Sequence, residues 1–212
     1  MARSYTRREM LRRAAVAGTV TAVPARSIAQ AIGPSAPYRN LSGAESRILE
    51  AIVARLIPSD ELGPGALEAG ASRYIDTSLS GALADALGAY RAGLEAVDAY
   101  SRTLLGGSFA ELDVDEQDRV LNDVEQNVAG GFEPDASTFF ELVLAHTIEG
   151  TFCDPHYGGN REFVGWELIG YPGIRLAVGA DDQRMSADLT LSRLSAYDLP
   201  MFDDESGGGD SE

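Results

Sequence analysis

Asp135-Ala136-Ser137-Thr138-Phe139-Phe140-Glu141-Leu142-Val143-Leu144-Ala145-His146-Thr147-Ile148-Glu149-Gly150-Thr151-Phe152 is the stretch that decides the fold. Asp135 is the residue type that accepts the unpaired N–H groups of a helix start. Behind it, Phe139, Phe140, Leu142, Val143, Leu144 and Ile148 make Ala136 to about Phe152 the most apolar helical run in the chain. A helix apolar on most of its circumference is buried, so this one is expected at the centre of the domain.

The same signals recur upstream. Asp113 with Glu116 is a cap signature before Val120, Leu121, Val124 and Val128, and Gly130-Gly131 is expected to stop that helix. Leu83, Leu87, Tyr90, Leu94, Val97 and Leu104 recur at three- and four-residue spacing within a predicted helix over 82–105, ended by Gly106-Gly107. Gly81 separates it from a shorter predicted helix over 67–79, which carries Tyr74, Ile75 and Leu79. Ser42 with Glu45 is a capping box opening a helix with Ile48, Leu49, Ile52, Val53 and Leu56 on one face, closed by Pro58. Residues 59–65 read as a turn. Strand-like alternation is scarce and no internal repeat is visible. The expectation is one all-α domain over 42–178, preceded by an extended leader over 32–41 and followed by an acidic, partly disordered tail over 179–212.

Downstream of the central helix the character changes. Residues 154–173 read Asp154-Pro155-His156-Tyr157-Gly158-Gly159-Asn160-Arg161-Glu162-Phe163-Val164-Gly165-Trp166-Glu167-Leu168-Ile169-Gly170-Tyr171-Pro172-Gly173. The glycines permit close backbone approach, and Pro155 and Pro172 stiffen the two ends. Tyr157, Arg161, Phe163, Trp166 and Tyr171 are residue types enriched at binding hot spots. Such a segment can fold its aromatics onto its own core, turn them toward a partner, or divide them between the two.

The totals narrow the function classes. The 212-residue chain has 17 basic and 33 acidic residues, a formal charge of −16, and every basic residue is arginine. Such a surface repels phosphate backbones and anionic lipid head groups, so nucleic acid is not an expected partner. The acidic excess fits a high-salt habitat, and the arginine bias fits a GC-rich genome; both readings stand. Cys153 is the single cysteine, which leaves no intrachain disulfide.

The N-terminus reads as an address. Thr6-Arg7-Arg8-Glu9-Met10-Leu11-Arg12 precedes a mildly apolar stretch over 14–23, and Ala29-Gln30-Ala31 offers small residues for cleavage after Ala31. This order matches a twin-arginine signal peptide over 1–31, with Arg7 and Arg8 as the pair that the twin-arginine translocase would read. Its removal leaves 11 basic and 32 acidic side chains, a formal charge of −21. The expected location is the periplasm or the extracytoplasmic face of the membrane, reached as a folded cargo.

Candidate chemistry gathers at 146–173. His146, Cys153, Asp154 and His156 are competent metal ligands by type but form no recurrent ligand spacing. Cys153 with a histidine could form a nucleophilic pair, yet its surroundings are acidic, which disfavours a thiolate. The sequence holds no Gly-rich dinucleotide fingerprint and no phosphate loop. The expectation is no catalytic, cofactor-binding or metal residue in this chain.

Asp154-Pro155-x-Tyr157-Gly158-Gly159-Asn160-Arg161 followed by Gly165-Trp166-x-x-Ile169-Gly170-Tyr171-Pro172-Gly173 resembles the gluconate 2-dehydrogenase subunit 3 family. The likeness covers roughly 40–175 and is most specific in this loop. It implies a non-catalytic small subunit for a large FAD-dependent dehydrogenase of the glucose–methanol–choline type, acting on a sugar or sugar acid. It also implies that the FAD lies in that partner, that a cytochrome subunit with haem can follow, and that the large subunit is exported bound to this one. The residues expected to shape the loop or meet the partner are Asp154, Tyr157, Gly158, Gly159, Asn160, Arg161, Trp166, Gly170, Tyr171, Pro172 and Gly173. The competing readings are a stand-alone exported helical enzyme using a metal or Cys153, and an exported small-ligand binding protein with the aromatic loop as a lid.

Overall fold

A computed structural model describes residues 37–185, 187, 189 and 191–199. The signal over 1–31, with Arg7, Arg8 and Ala31, lies outside these residues, as does the end of the acidic tail over 200–212. The described helices belong to one unit, Tyr38–Glu212. Among the described residues there are seven α-helices and no strand: α1 Gly43–Leu56, α2 Ala66–Ala69, α3 Ala71–Ser78, α4 Leu87–Leu105, α5 Val114–Glu125, α6 Ala136–Phe152 and α7 Val164–Leu168. None is long and apolar enough to cross a membrane.

Capping chemistry sets three of the starts as expected. Ser42 Oγ accepts from the Glu45 amide at 3.3 Å, while the Glu45 carboxylate accepts from the Ser42 amide at 2.6 Å. Asp113 and Glu116 make the same reciprocal pair at the head of α5, at 2.9 and 3.2 Å. Asp135 accepts from the Thr138 amide at 2.9 Å to open α6. Each such cap is worth about 1 kcal/mol.

Tertiary structure overrides local propensity elsewhere. The helix expected over 67–79 is two helices, because Gly70 turns left-handed at φ 82° and ends α2, while its carbonyl accepts the first bonds of α3. The helix expected from Ala82 starts only at Leu87, since the Ser78 carbonyl gathers the Gly81 and Leu83 amides into turns and a 3-10 turn fills Ala84–Ala86. The Gly130-Gly131 pair does not stop α5. That helix ends at Glu125, with Asn127 at φ 58° just beyond it, and Val128 is left exposed. The Asn127 side chain then accepts from the Ala136 amide at 3.0 Å, so the residue that terminates α5 also helps to start α6.

The α6 helix is central, packing against all six others. Leu49, Ile52 and Val53 of α1, Ile75 of α3, Tyr90, Leu94 and Val97 of α4, Phe109, and Val120 and Val124 of α5 form the core around it. Each fully buried aliphatic side chain contributes about 1.5–3 kcal/mol. Only the first half of α6 joins this core through large apolar groups, Phe139 and Val143. The second half buries His146, Thr147, Gly150 and Thr151, while Ile148 is 44% exposed. The reason is closeness: a Cβ on Gly150 would lie 2.9 Å from the Ala71 Cα and 2.8 Å from the Tyr74 ring. Backbone meets backbone there, with no room for a large side chain.

The start of the unit is tied down by Asp76, buried in α3. Its carboxylate accepts from the amides of Arg39, Asn40 and Leu41 at 2.7, 2.9 and 3.1 Å. Arg91 of α4 donates to the Asn40 carbonyl at 2.8 Å, and the Tyr38 hydroxyl donates to the Glu50 carboxylate while accepting from the Ser72 hydroxyl.

Candidate functional site

The last turn of α6 leaves carbonyls without intrahelical partners, and the segment after it folds back to serve them. The Asn160 amide donates to the Gly150 carbonyl at 2.8 Å, Trp166 Nε1 to the Phe152 carbonyl at 2.9 Å, and Asn160 Nδ2 to the Cys153 carbonyl at 2.8 Å. Asn160 is fully buried, and its Oδ1 accepts from the Gly165 amide at 2.8 Å and the Trp166 amide at 3.4 Å. One side chain thus pins both halves of the segment to the helix end.

The fit is close enough to dictate glycine. A Cβ on Gly159 would stand 2.1 Å from the Gly150 carbonyl oxygen, and one on Gly165 would stand 1.8 Å from that of Thr151. The segment is therefore not an open loop. It is a 3-10 turn over Pro155–Tyr157, a second over Arg161–Phe163, and the short α7. Asn160, Glu162 and Phe163 hold φ of 42°, 57° and 63°. Left-handed geometry at residues with a side chain costs about 1–2 kcal/mol each, and three such residues are concentrated in this one segment.

The aromatics divide. Trp166 is buried between Phe163 and Tyr171, with ring centroids 5.2 and 5.0 Å away. Tyr157, Arg161 and Tyr171 are exposed, with Ile169 beside them in the chain. The Arg161 guanidinium donates to the Glu68 carbonyl of α2 at 3.0 Å, which fixes the head of the side chain while leaving the residue at the surface. Gly158, Gly170 and Gly173 sit at positive φ, and Pro172 offers its carbonyl to the Ser192 amide at 2.8 Å.

Asp154 caps the first turn by accepting from the His156 amide at 2.9 Å. It also reaches into the stretch assigned from sequence to the acidic tail. Ser195 Oγ donates to Asp154 Oδ1 at 2.5 Å and the Ala196 amide to Oδ2 at 2.8 Å. Burial alone would raise the Asp154 carboxyl, but the bonds from Ser195, Ala196 and His156 outweigh it and hold the group below its usual value. Tyr197 stacks on His156 at 3.7 Å and shares a 2.7 Å hydrogen bond with the Tyr157 hydroxyl, while Arg193 pairs with Glu167.

The imagined catalytic groups are placed otherwise. His146 is buried in α6, with Nδ1 2.9 Å from the Tyr90 hydroxyl, and desolvation lowers its pKa against the pull of Glu149. His156 belongs to the Tyr197 stack. Burial pushes the Cys153 thiol up, the reverse of what a thiolate nucleophile needs. Among the described residues no group of three or more His, Cys, Asp or Glu is placed to hold a metal. Two features escaped sequence reading: Asp76 as an anchor, and the return of residues 191–199 to the loop. A trace of the second was present, since Ser195 and Asp198 form a capping box.

Among the described residues, an all-helical body thus carries a segment pinned to the end of α6 at its base, with Tyr157, Arg161 and Tyr171 at its surface. Residues 43–173 match the family model described as gluconate 2-dehydrogenase subunit 3, and the chain belongs to that family. The match ends at Gly173, the last glycine of the segment. Searches of curated proteins and of solved structures gave no significant match.

Proposed function

We propose that this chain is the non-catalytic small subunit of an FAD-dependent sugar or sugar-acid dehydrogenase, and that it assists the assembly, stability and folded export of the flavoprotein subunit. Membership of the subunit 3 family is the observation that carries this reading, because that family associates with a dehydrogenase complex. The geometry of 154–173 supports it: Asn160, Gly159, Gly165 and Trp166 hold the base, leaving Tyr157, Arg161 and Tyr171 as contacts. A surface ordered before binding loses little entropy on docking. The FAD belongs to the large subunit in this reading, and haem to a cytochrome subunit where one is present. The leader with Arg7 and Arg8, cleaved after Ala31, would take the pair through the twin-arginine translocase to the extracytoplasmic side.

Co-purification tests the proposal. A C-terminally tagged chain expressed with its chromosomal neighbours should elute as a yellow complex with a large flavin-containing subunit and dye-linked dehydrogenase activity. Arg161→Ala with Tyr157→Ala should reduce recovery of that subunit. A colourless monomer from the native host would refute the reading.

A further inference from the structure

Residues 192–199 lie beyond the family match, yet their partners are family-segment positions. Ser195 Oγ and the Ala196 amide fill the Asp154 carboxylate, Tyr197 covers the His156 ring and meets the Tyr157 hydroxyl, Arg193 pairs with Glu167, and the Ser192 amide takes the Pro172 carbonyl. Four of these five positions offer a polar group, and the fifth offers a flat ring. Such a set recognises a polypeptide turn bearing a hydroxyl, an amide and an aromatic ring.

The hold on this turn is polar rather than apolar. Within 191–199 only Ser195 is buried, while Leu194 and Tyr197 remain 47% and 36% exposed. On the stretch leading to it, Leu176, Val178 and Met185 are exposed as well. Segments with few buried apolar contacts and exposed hydrogen bonds open locally, well before the fold does.

We propose that residues 192–199 are a displaceable cover over the Asp154–Tyr157 corner, and that the dehydrogenase subunit seats there by replacing them with a turn of the same chemistry. This rests on the accessory-subunit reading. The cover keeps the corner from other partners, and its departure is part of docking. A cover closed nine-tenths of the time weakens apparent affinity about tenfold, so opening it by mutation should return roughly that factor.

The test uses the full chain and the flavoprotein subunit that co-purifies with it. Ser195→Asp sets a carboxylate against Asp154 and opens the cover without shortening the chain; Tyr197→Ser removes the stack instead. Hydrogen exchange at the Ser192 and Ala196 amides should show local opening in the wild type and near-complete loss of protection in both variants, with Trp166 emission unchanged. Both variants should bind the flavoprotein subunit more tightly, by roughly three- to tenfold. Weaker or equal binding would overturn the cover while leaving the accessory reading intact. So would wild-type protection matching that of α6, since the segment would then be a fixed part of the fold. No binding by any form would remove the accessory reading, and the cover's role with it.

Discussion

Asn160 is where the segment stands or falls, and its replacement has a calculable effect. Asn160→Ala removes the donor to the Cys153 carbonyl and the acceptor for the Gly165 amide. Each buried group left without a partner costs about 1–3 kcal/mol. Alanine also tolerates φ 42° less well than asparagine, adding roughly 1 kcal/mol. The expected loss is about 3–7 kcal/mol, a large part of the 5–15 kcal/mol typical of a domain. Asn160→Gly keeps the backbone free and should recover about 1 kcal/mol of it. The single tryptophan makes the assay direct. Trp166 emission during urea unfolding reports the segment, and far-UV circular dichroism reports the helices. In Asn160→Ala the emission should shift to the red and its transition should precede that of the helices. A loss below about 1 kcal/mol in both signals, with unshifted emission, would refute the argument that Asn160 holds the segment.

Other outcomes follow from the remaining buried polar groups. Desolvation depresses the His146 pKa in the fold, so the unfolded chain takes up a proton first; stability should be level above about pH 6.5 and decline as pH falls below it. His146→Gln should flatten that decline in urea titrations across pH. Asp76→Ala strips the acceptor from three amides and should lower stability by about 2–4 kcal/mol, measured by thermal denaturation, with faster exchange at Arg39, Asn40 and Leu41. Cys153, its thiol raised by burial, should react with a thiol-specific reagent at neutral pH far more slowly in the native chain than in urea.

The helices were legible where a single side chain decides the matter. Ser42, Asp113 and Asp135 each sit three residues before the amide they accept, and that spacing is written in the chain. The terminations of α2 and α5 were less so, because Gly70 and Asn127 enter the left-handed region for reasons of packing, and glycine or asparagine permits that conformation without requiring it. The apolar count in 139–148 pointed correctly to a central helix but not to its polar second half. That half follows from how closely α3 and the segment approach Gly150, a distance that no local pattern carries. Composition singled out 154–173, yet the division into a buried Trp166 and an exposed Tyr157 depended on which carbonyls of α6 needed donors. The contribution of Ser195 was hidden by distance, since it meets Asp154 from 41 residues away.

The Asp76 anchor has a mechanical side. A pull applied at Tyr38 is borne by residues 39–41, where three amides bound to one carboxylate and the Arg91 grip on Asn40 must give way before α1 feels the load. Bonds that share a load yield together at a higher force than bonds that part in succession. The attachment behaves as a rivet: Asp76→Ala should let the first residues peel at a force that leaves the helices intact.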